Sequence, residues 1–184
     1  MKKLFLLLLP MILACNFNKT KNQEVKNSGY MEGKAQISDE ITTFFFIRHA
    51  EKDRKNSEEK DPALTDIGIK RAEKWAEIFK EVQFDLIYSS DFKRTRETAQ
   101  KIAESRNLEI QLYDSGKLND EEFQKKTKGK TVLVIEHSNT NPKFVNSILG
   151  EEKYSDIADE ESGSLFILSV SPVGVKSSQV LYIN

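Results

Sequence analysis

The stretch Thr42-Thr43-Phe44-Phe45-Phe46-Ile47-Arg48-His49 is a run of aromatic and β-branched residues that closes on two polar ones. A short apolar run bounded by polar segments reads as a buried strand. Its last two residues matter because ligands of open α/β sheets collect at the carboxyl ends of strands. The chain holds one other histidine, His137, and it too closes an apolar run, Thr131-Val132-Leu133-Val134-Ile135-Glu136-His137. Two imidazoles at two strand ends would face each other across one pocket, either packing there or doing chemistry.

Working outward, a charged loop from Glu51 to Asp61 ends at Pro62, and Leu64-Thr65-Asp66-Ile67-Gly68 opens a helix. Thr65 fits its N-cap, and Asp66 suits the first turn. Ile67, Ala72, Trp75, Ala76, Ile78 and Phe79 recur at helical spacing and predict its core face. Phe84 to Tyr88 reads as a second strand closing in Ser89-Ser90, followed by a helix from Asp91 to about Ser105. A third strand spans Glu109 to Tyr113, and a short helix lies around Asp120 to Lys126. The fourth strand is Lys130 to Glu136, and the next helix, from Asn141 to Leu149, stops at Gly150. Ser164 to Val170 and Val175 to Ile183, around Pro172-Val173-Gly174, predict a hairpin. Strands alternating with helices imply a three-layer α/β/α sandwich, its sheet mainly parallel with antiparallel strands late in the chain. The acidic run Glu151 to Glu161 and the basic run Lys125 to Lys130 are most simply solvated surface.

The first residues are of another kind. Lys2 and Lys3 precede an apolar run from Leu4 to Ala14, too short to span a bilayer, which reads as an export signal. The run ends at Ile12-Leu13-Ala14-Cys15, which resembles the lipobox of bacterial lipoproteins. That likeness implies a signal peptide over residues 1–14, lipidation of Cys15, and an exported protein held to a bacterial membrane by a lipid anchor alone. Cys15 is the single cysteine, so no disulfide within the chain supports the fold. Residues 15–40, rich in Asn, Lys, Gln, Ser and Gly, bury too little apolar surface to offset chain entropy and read as a tether. Residues 41–184 have the size of one domain, without internal repeats. A formal net charge of −1 gives no electrostatic reason to expect nucleic acid as a partner.

Four polar groups thus sit at strand ends or helix starts: Arg48, His49, Arg94 and His137. The planar donor forks of two arginines suit phosphate and stay charged at any working pH. A neutral imidazole between them is a good nucleophile toward phosphorus, and a phosphoenzyme divides one hard displacement into two easier ones. A second imidazole, protonated, would stabilise charge on the phosphoryl oxygens.

At this point the residues match a family. Phe46-Ile47-Arg48-His49-Ala50-Glu51 resembles the Arg-His-Gly-Glu signature of the histidine phosphatases, the phosphoglycerate-mutase-like superfamily. Leu64-Thr65-Asp66-Ile67-Gly68 with Arg71-Ala72 is similar to its Leu-Thr-x-x-Gly helix start. Ser90, Arg94 and Thr98-Ala99 resemble its Ser-x-x-x-Arg-x-x-x-Thr-Ala segment, and Val132 to Ser138 is similar to the strand carrying its second histidine. The resemblance implies a phosphoglycerate-mutase-like fold and a phosphatase without metal or other cofactor. Its substrate would be a phosphorylated small molecule or phosphoprotein. His49 would be phosphorylated, Arg48 and Arg94 would clamp the phosphoryl oxygens, and His137 would stabilise charge. Where many members place an acidic proton donor, this chain has Tyr113-Asp114; Asp114 is the first candidate and Glu51 the second.

The chain departs from the family pattern at Ala50, where glycine is commoner, and at Glu136 before the second histidine. On a strand Glu136 would face away from His137's side of the sheet; nearer the pocket it would hold His137 protonated and oppose an anionic substrate. The segment Asp114 to Gly129 is short, which implies an open site. A catalytically impaired phosphate- or partner-binding lipoprotein of the same fold is the alternative from another class. A metal hydrolase is disfavoured, since the histidines lack His-Glu-x-x-His spacing.

Overall fold

The structure, a computed structural model, describes residues 40–183. The expected signal peptide, the lipidation at Cys15 and all of the tether except Glu40 lie outside the described residues.

Alternation along β1 (Thr42–Arg48) sends Phe44 and Phe46 to one face of the sheet and Phe45 and Ile47 to the other. Both faces are covered. Beside β1 in the same sheet run β4 (Thr131–Glu136), β2 (Leu86–Ser90) and β3 (Ile110–Tyr113), all parallel to it. The strand β5 (Ser164–Val170) pairs antiparallel with β1, and β6 (Lys176–Tyr182) with β5, giving the order β3-β2-β4-β1-β5-β6. Helices α1 (Asp66–Ile78) and α2 (Lys93–Glu104) cover one face, where Trp75, Phe79 and Ile102 meet Ile47, Ile87, Leu133 and Ile135. Helices α3 (Glu121–Thr127) and α4 (Thr140–Leu149) cover the other, where Phe123, Phe144 and Val145 meet Phe44, Phe46 and Val134. This is the three-layer sandwich that the alternation of elements implied. β1 and β4 run in register from Thr43 opposite Thr131 to Arg48 opposite Glu136, so the two histidine-bearing strand ends are adjacent.

The start of α1 is fixed by the loop that follows His49. Thr65 caps the helix through Gly68 N, while its own amide and hydroxyl both donate to the Glu51 carbonyl, at 2.9 and 3.2 Å. A Cβ at Gly68 would lie 2.2 Å from that carbonyl oxygen, so only glycine lets the helix approach this closely. The core stripe of α1 is narrower than its periodicity suggested. It follows Gly68, Ala72, Trp75 and Phe79, and leaves Ile67 and Ile78 a quarter turn away, 67% and 37% exposed. α2 begins two residues later than expected, after an extended Phe92, which puts Arg94 in its first turn.

Candidate active site

The cleft forms where β1, β2 and β4 end. His49 continues the ladder of β1, its amide donating to the Glu136 carbonyl at 2.8 Å. Its ring is buried, and Nδ1 lies 2.7 Å from the carbonyl oxygen of its neighbour Ala50. That contact requires the proton on Nδ1, which leaves the lone pair on Nε2. Burial holds the imidazole down to about 3, with the charges of Arg48, His137 and Arg94 adding and the Ala50 carbonyl opposing. His49 is therefore neutral across the physiological range. Ala50 packs with Leu64 and Ala72, so its methyl is buried rather than in the way.

His137 follows β4, and its ring stands 5.3 Å from that of His49 at 65°. Ser90 at the end of β2 places Oγ 3.3 Å from His137 Nε2, and Phe92 meets the same ring edge-on at 4.9 Å. Nδ1 of His137 is buried without a partner. Burial, then Arg94, Lys52 and Arg48, lower this imidazole to about 4, with Asp61 acting against them.

The two arginines are less free than the sequence suggested. Arg48, 2% exposed, donates from Nη1 to the carbonyls of Ala158, Asp159 and Glu161 and from Nη2 to the Asp159 carboxylate at 2.7 Å. The acidic run expected to be solvated surface keeps most of its acidic side chains exposed, while the carbonyls of Ala158, Asp159 and Glu161 turn in to Arg48. Asp159, Glu160 and Ser162 line the cleft on this side. Arg94 lies over the Phe92 ring at 4.4 Å and places Nη1 3.4 Å from Asp61. Each arginine keeps a buried Nε without a partner.

Glu51 lines a cleft of about 300 Å³ together with Arg48, His49, Lys52 and Arg54. Arg71 donates to its Oε1 at 2.6 Å, while Oε2 is buried without a partner. Asp114, the first candidate for the proton donor, is not brought here. It is exposed, accepts the Gly116 amide at 2.8 Å, and lines a separate hollow beside Tyr88 and Phe123. A turn residue with its carboxylate satisfied locally has no reason to reach across β2. Glu136 is fully buried beside the histidines, with Oε2 3.9 Å from His137 Nε2. Sequence reading did not find Asp159, Asp61 or Lys52 as neighbours of the site, whereas Ser90 already stood in the motif segment with Arg94. Among the described residues no group of three or more His, Cys, Asp or Glu is placed to share a metal ion.

The model of the histidine phosphatase superfamily (branch 1) matches residues 44–115, the span from β1 through β3 that carries Arg48, His49 and Arg94. No curated protein sequence matches the chain. Several solved structures share its architecture. The protein histidine phosphatase SixA complexed with tungstate is 19% identical, covering 76% of this chain and 96% of its own, with a TM-score of 0.62. A phosphoserine phosphatase from Entamoeba histolytica, in complex with 3-phosphoglyceric acid, is also 19% identical, covering 77% and 97%, TM-score 0.59. A mycobacterial glucosyl-3-phosphoglycerate phosphatase is 14% identical, covering 78% and 99%, TM-score 0.55. The fold is phosphoglycerate-mutase-like: a mainly parallel six-stranded sheet with antiparallel C-terminal strands between two helical layers.

Proposed function

We propose that this chain is a phosphatase of the histidine phosphatase superfamily that hydrolyses phosphate monoesters, of small molecules or of proteins, through a phosphohistidine on His49. The observation that carries the reading is the tautomer. The Ala50 carbonyl takes the Nδ1 proton of a buried, neutral His49, and Nε2 is left as a lone pair beside Arg48, Arg94 and His137. In the first step Nε2 attacks phosphorus, the P–O bond to the alcohol breaks, and Glu51 delivers a proton to the leaving oxygen from its unpartnered Oε2. In the second, water attacks the phosphohistidine and Glu51 takes up its proton. Arg48 and Arg94 hold the phosphoryl oxygens through the donors that the protein leaves open, Nε of each among them. The mechanism uses no metal or other cofactor.

The SixA and phosphoserine phosphatase likenesses make phosphorylated proteins and phosphorylated small molecules both suitable substrates. One observation favours the alternative, a phosphate-binding protein without turnover: Arg48 is largely engaged by residues 158–161. Turnover of an aryl phosphate with and without chelator, beside His49→Ala, separates the two. The enzyme reading expects hydrolysis by wild type in both conditions and none by the variant; equal rates in wild type and variant refute it. We further propose that the chain is exported and anchored through a lipid on Cys15. Cys15→Ser would then release it from the membrane fraction, and unchanged partitioning would refute the anchor.

A further inference from the structure

The end of the sheet opposite the candidate active site has a second hollow, which the phosphatase chemistry does not use. There β1 begins at Thr42 opposite Val170, the last residue of β5, and Val170 is paired with Lys176, the first residue of β6. The hollow beside this edge holds about 720 Å³. Phe44, Ile148 and Val170 line it together with Lys125, Lys128 and Lys176, and Glu40 is the acid among its lining residues. Lys125 and Lys128 form no ion pair among the described residues. Lys176 donates to the Leu149 carbonyl at 3.3 Å, which leaves its charge without an acid beside it.

Apolar side chains stand in water at the same edge. Val173 and Val175, in the turn between β5 and β6, are 85% and 67% exposed, and Ile41, just before β1, is 56% exposed. The turn that carries the valines is bonded within itself. Ser171 donates its amide to the Val175 carbonyl at 2.8 Å, and Gly174 donates to the Ser171 carbonyl at 2.9 Å. Val175 donates to Ser171 Oγ at 2.9 Å, and Pro172 has no amide hydrogen to satisfy. The tip can therefore leave water without stranding these donors.

We propose that this end of the domain docks on an anionic phospholipid bilayer. Val173, Val175 and Ile41 enter the interface, and Lys125, Lys128 and Lys176 hold a lipid phosphate at the hollow. Apolar groups beside lysines match a surface that is anionic outside and apolar beneath. A second copy of the chain fits less well, because a two-fold contact would set the same lysines against each other. The chain also enters the domain here, at Glu40, so the residues leading back to Cys15 leave from the docking face. Docking fixes where the active site looks. The seven residues of β1 span about 20 Å and carry His49 at their far end, away from the lipid. Given the phosphatase reading above, the substrate is then a phosphate ester in the aqueous phase rather than a membrane lipid.

Cys15 is the single cysteine, so a fluorophore can be placed at one chosen position. The full-length chain with Cys15→Ser and Val173→Cys is labelled with nitrobenzoxadiazole, whose emission reports its surroundings. It is mixed with vesicles of phosphatidylglycerol or of phosphatidylcholine, each carrying a doxyl-lipid quencher. Phosphatidylglycerol should shift the emission at position 173 to the blue and quench it, and phosphatidylcholine should do neither. The same label at Lys55→Cys, exposed in the loop after His49, should respond to neither lipid. The docked-to-free ratio read from quenching should fall about fivefold for each of Lys125, Lys128 and Lys176 replaced by Gln. No response to phosphatidylglycerol at position 173 overturns the proposal. So do an equal response to both lipids, equal quenching at positions 173 and 55, or a response that survives all three replacements. A blue shift on raising protein concentration without lipid also overturns it and assigns the face to a second copy. Serine stands at position 15 throughout, so failure here is distinct from failure of the lipid anchor, and aryl phosphate turnover tests the phosphatase reading separately.

Discussion

Asp159 holds one carboxylate oxygen 2.7 Å from Nη2 of Arg48 and the other 2.5 Å from Nη1 of Arg54, so an acid of the chain's own bridges two cations at the mouth of the cleft. The hydrogen bond from Arg54, with Arg48 behind it, lowers this carboxyl to about 2. Because a group with a depressed value is ionised at every higher pH, the bridge persists through the whole working range. An anionic ligand competes with it for Arg48.

Replacing Asp159 by Asn should therefore tighten binding of inorganic phosphate. A pair whose acid is half exposed to solvent is worth about 0.5–1 kcal/mol, which is roughly a two- to fivefold change in affinity. Calorimetric titration at pH 6 and pH 8 checks this, and the ratio of wild-type to variant affinity should be the same at both. Weaker binding in the variant would mean that Asp159 orders Arg48 for its ligand rather than competing with it.

The two buried histidines set the acid stability of the fold. Their values are lowered to about 3 and about 4, below the unfolded reference near 6.5, so between these limits the unfolded chain binds more protons than the folded one. Stability must fall as pH drops below about 6.5 and stop falling from this source below about 3. From pH 7 to pH 5 the two groups together should cost roughly 2–4 kcal/mol. Urea unfolding at both pH values should show this loss in wild type and a much smaller one in the His49→Gln, His137→Gln double variant. His49, as the proposed nucleophile, follows the same sign: its neutral form is lost only as pH falls toward 3, so the acid limb of kcat/KM should not report it near pH 6.

Gly68 tests how the helix start supports the loop after His49. Gly68→Ala places a methyl against the Glu51 carbonyl and should destabilise the protein by about 1–3 kcal/mol, lowering kcat/KM as the Glu51 backbone shifts. Ile67→Ser, one residue away on the exposed side, should stay within about 0.5 kcal/mol of wild type in urea unfolding. Equal effects of the two would mean that Gly68 makes no close contact.

This contrast shows what was legible in the sequence. Strand and helix identities followed from periodicity, and Arg48, His49, Arg94 and His137 followed from their places at strand ends and a helix start, because those signals are local. The width of the α1 stripe was not legible, since a quarter turn separates Ile67 from the core and apolar spacing alone does not resolve it. Nor was the return of residues 158–161 over Arg48, which depends on tertiary contacts more than a hundred residues apart in the chain. The placement of Asp114 away from the cleft was not legible for a similar reason: its own turn takes up the carboxylate.

The proton donor can be assigned by leaving group. If Glu51 protonates the departing oxygen, Glu51→Gln should slow an alkyl phosphate by about 10²–10⁴, in line with general acid catalysis, and an aryl phosphate far less, because a phenolate leaves without help. Asp114→Asn should leave both rates unchanged, since its carboxylate is exposed and bonded to Gly116. Steady-state kcat/KM for the two ester classes checks both variants. Equal slowing of alkyl and aryl esters by Glu51→Gln would assign Glu51 to holding Arg71 and the loop after His49, and would leave His137 as the group nearest the leaving oxygen.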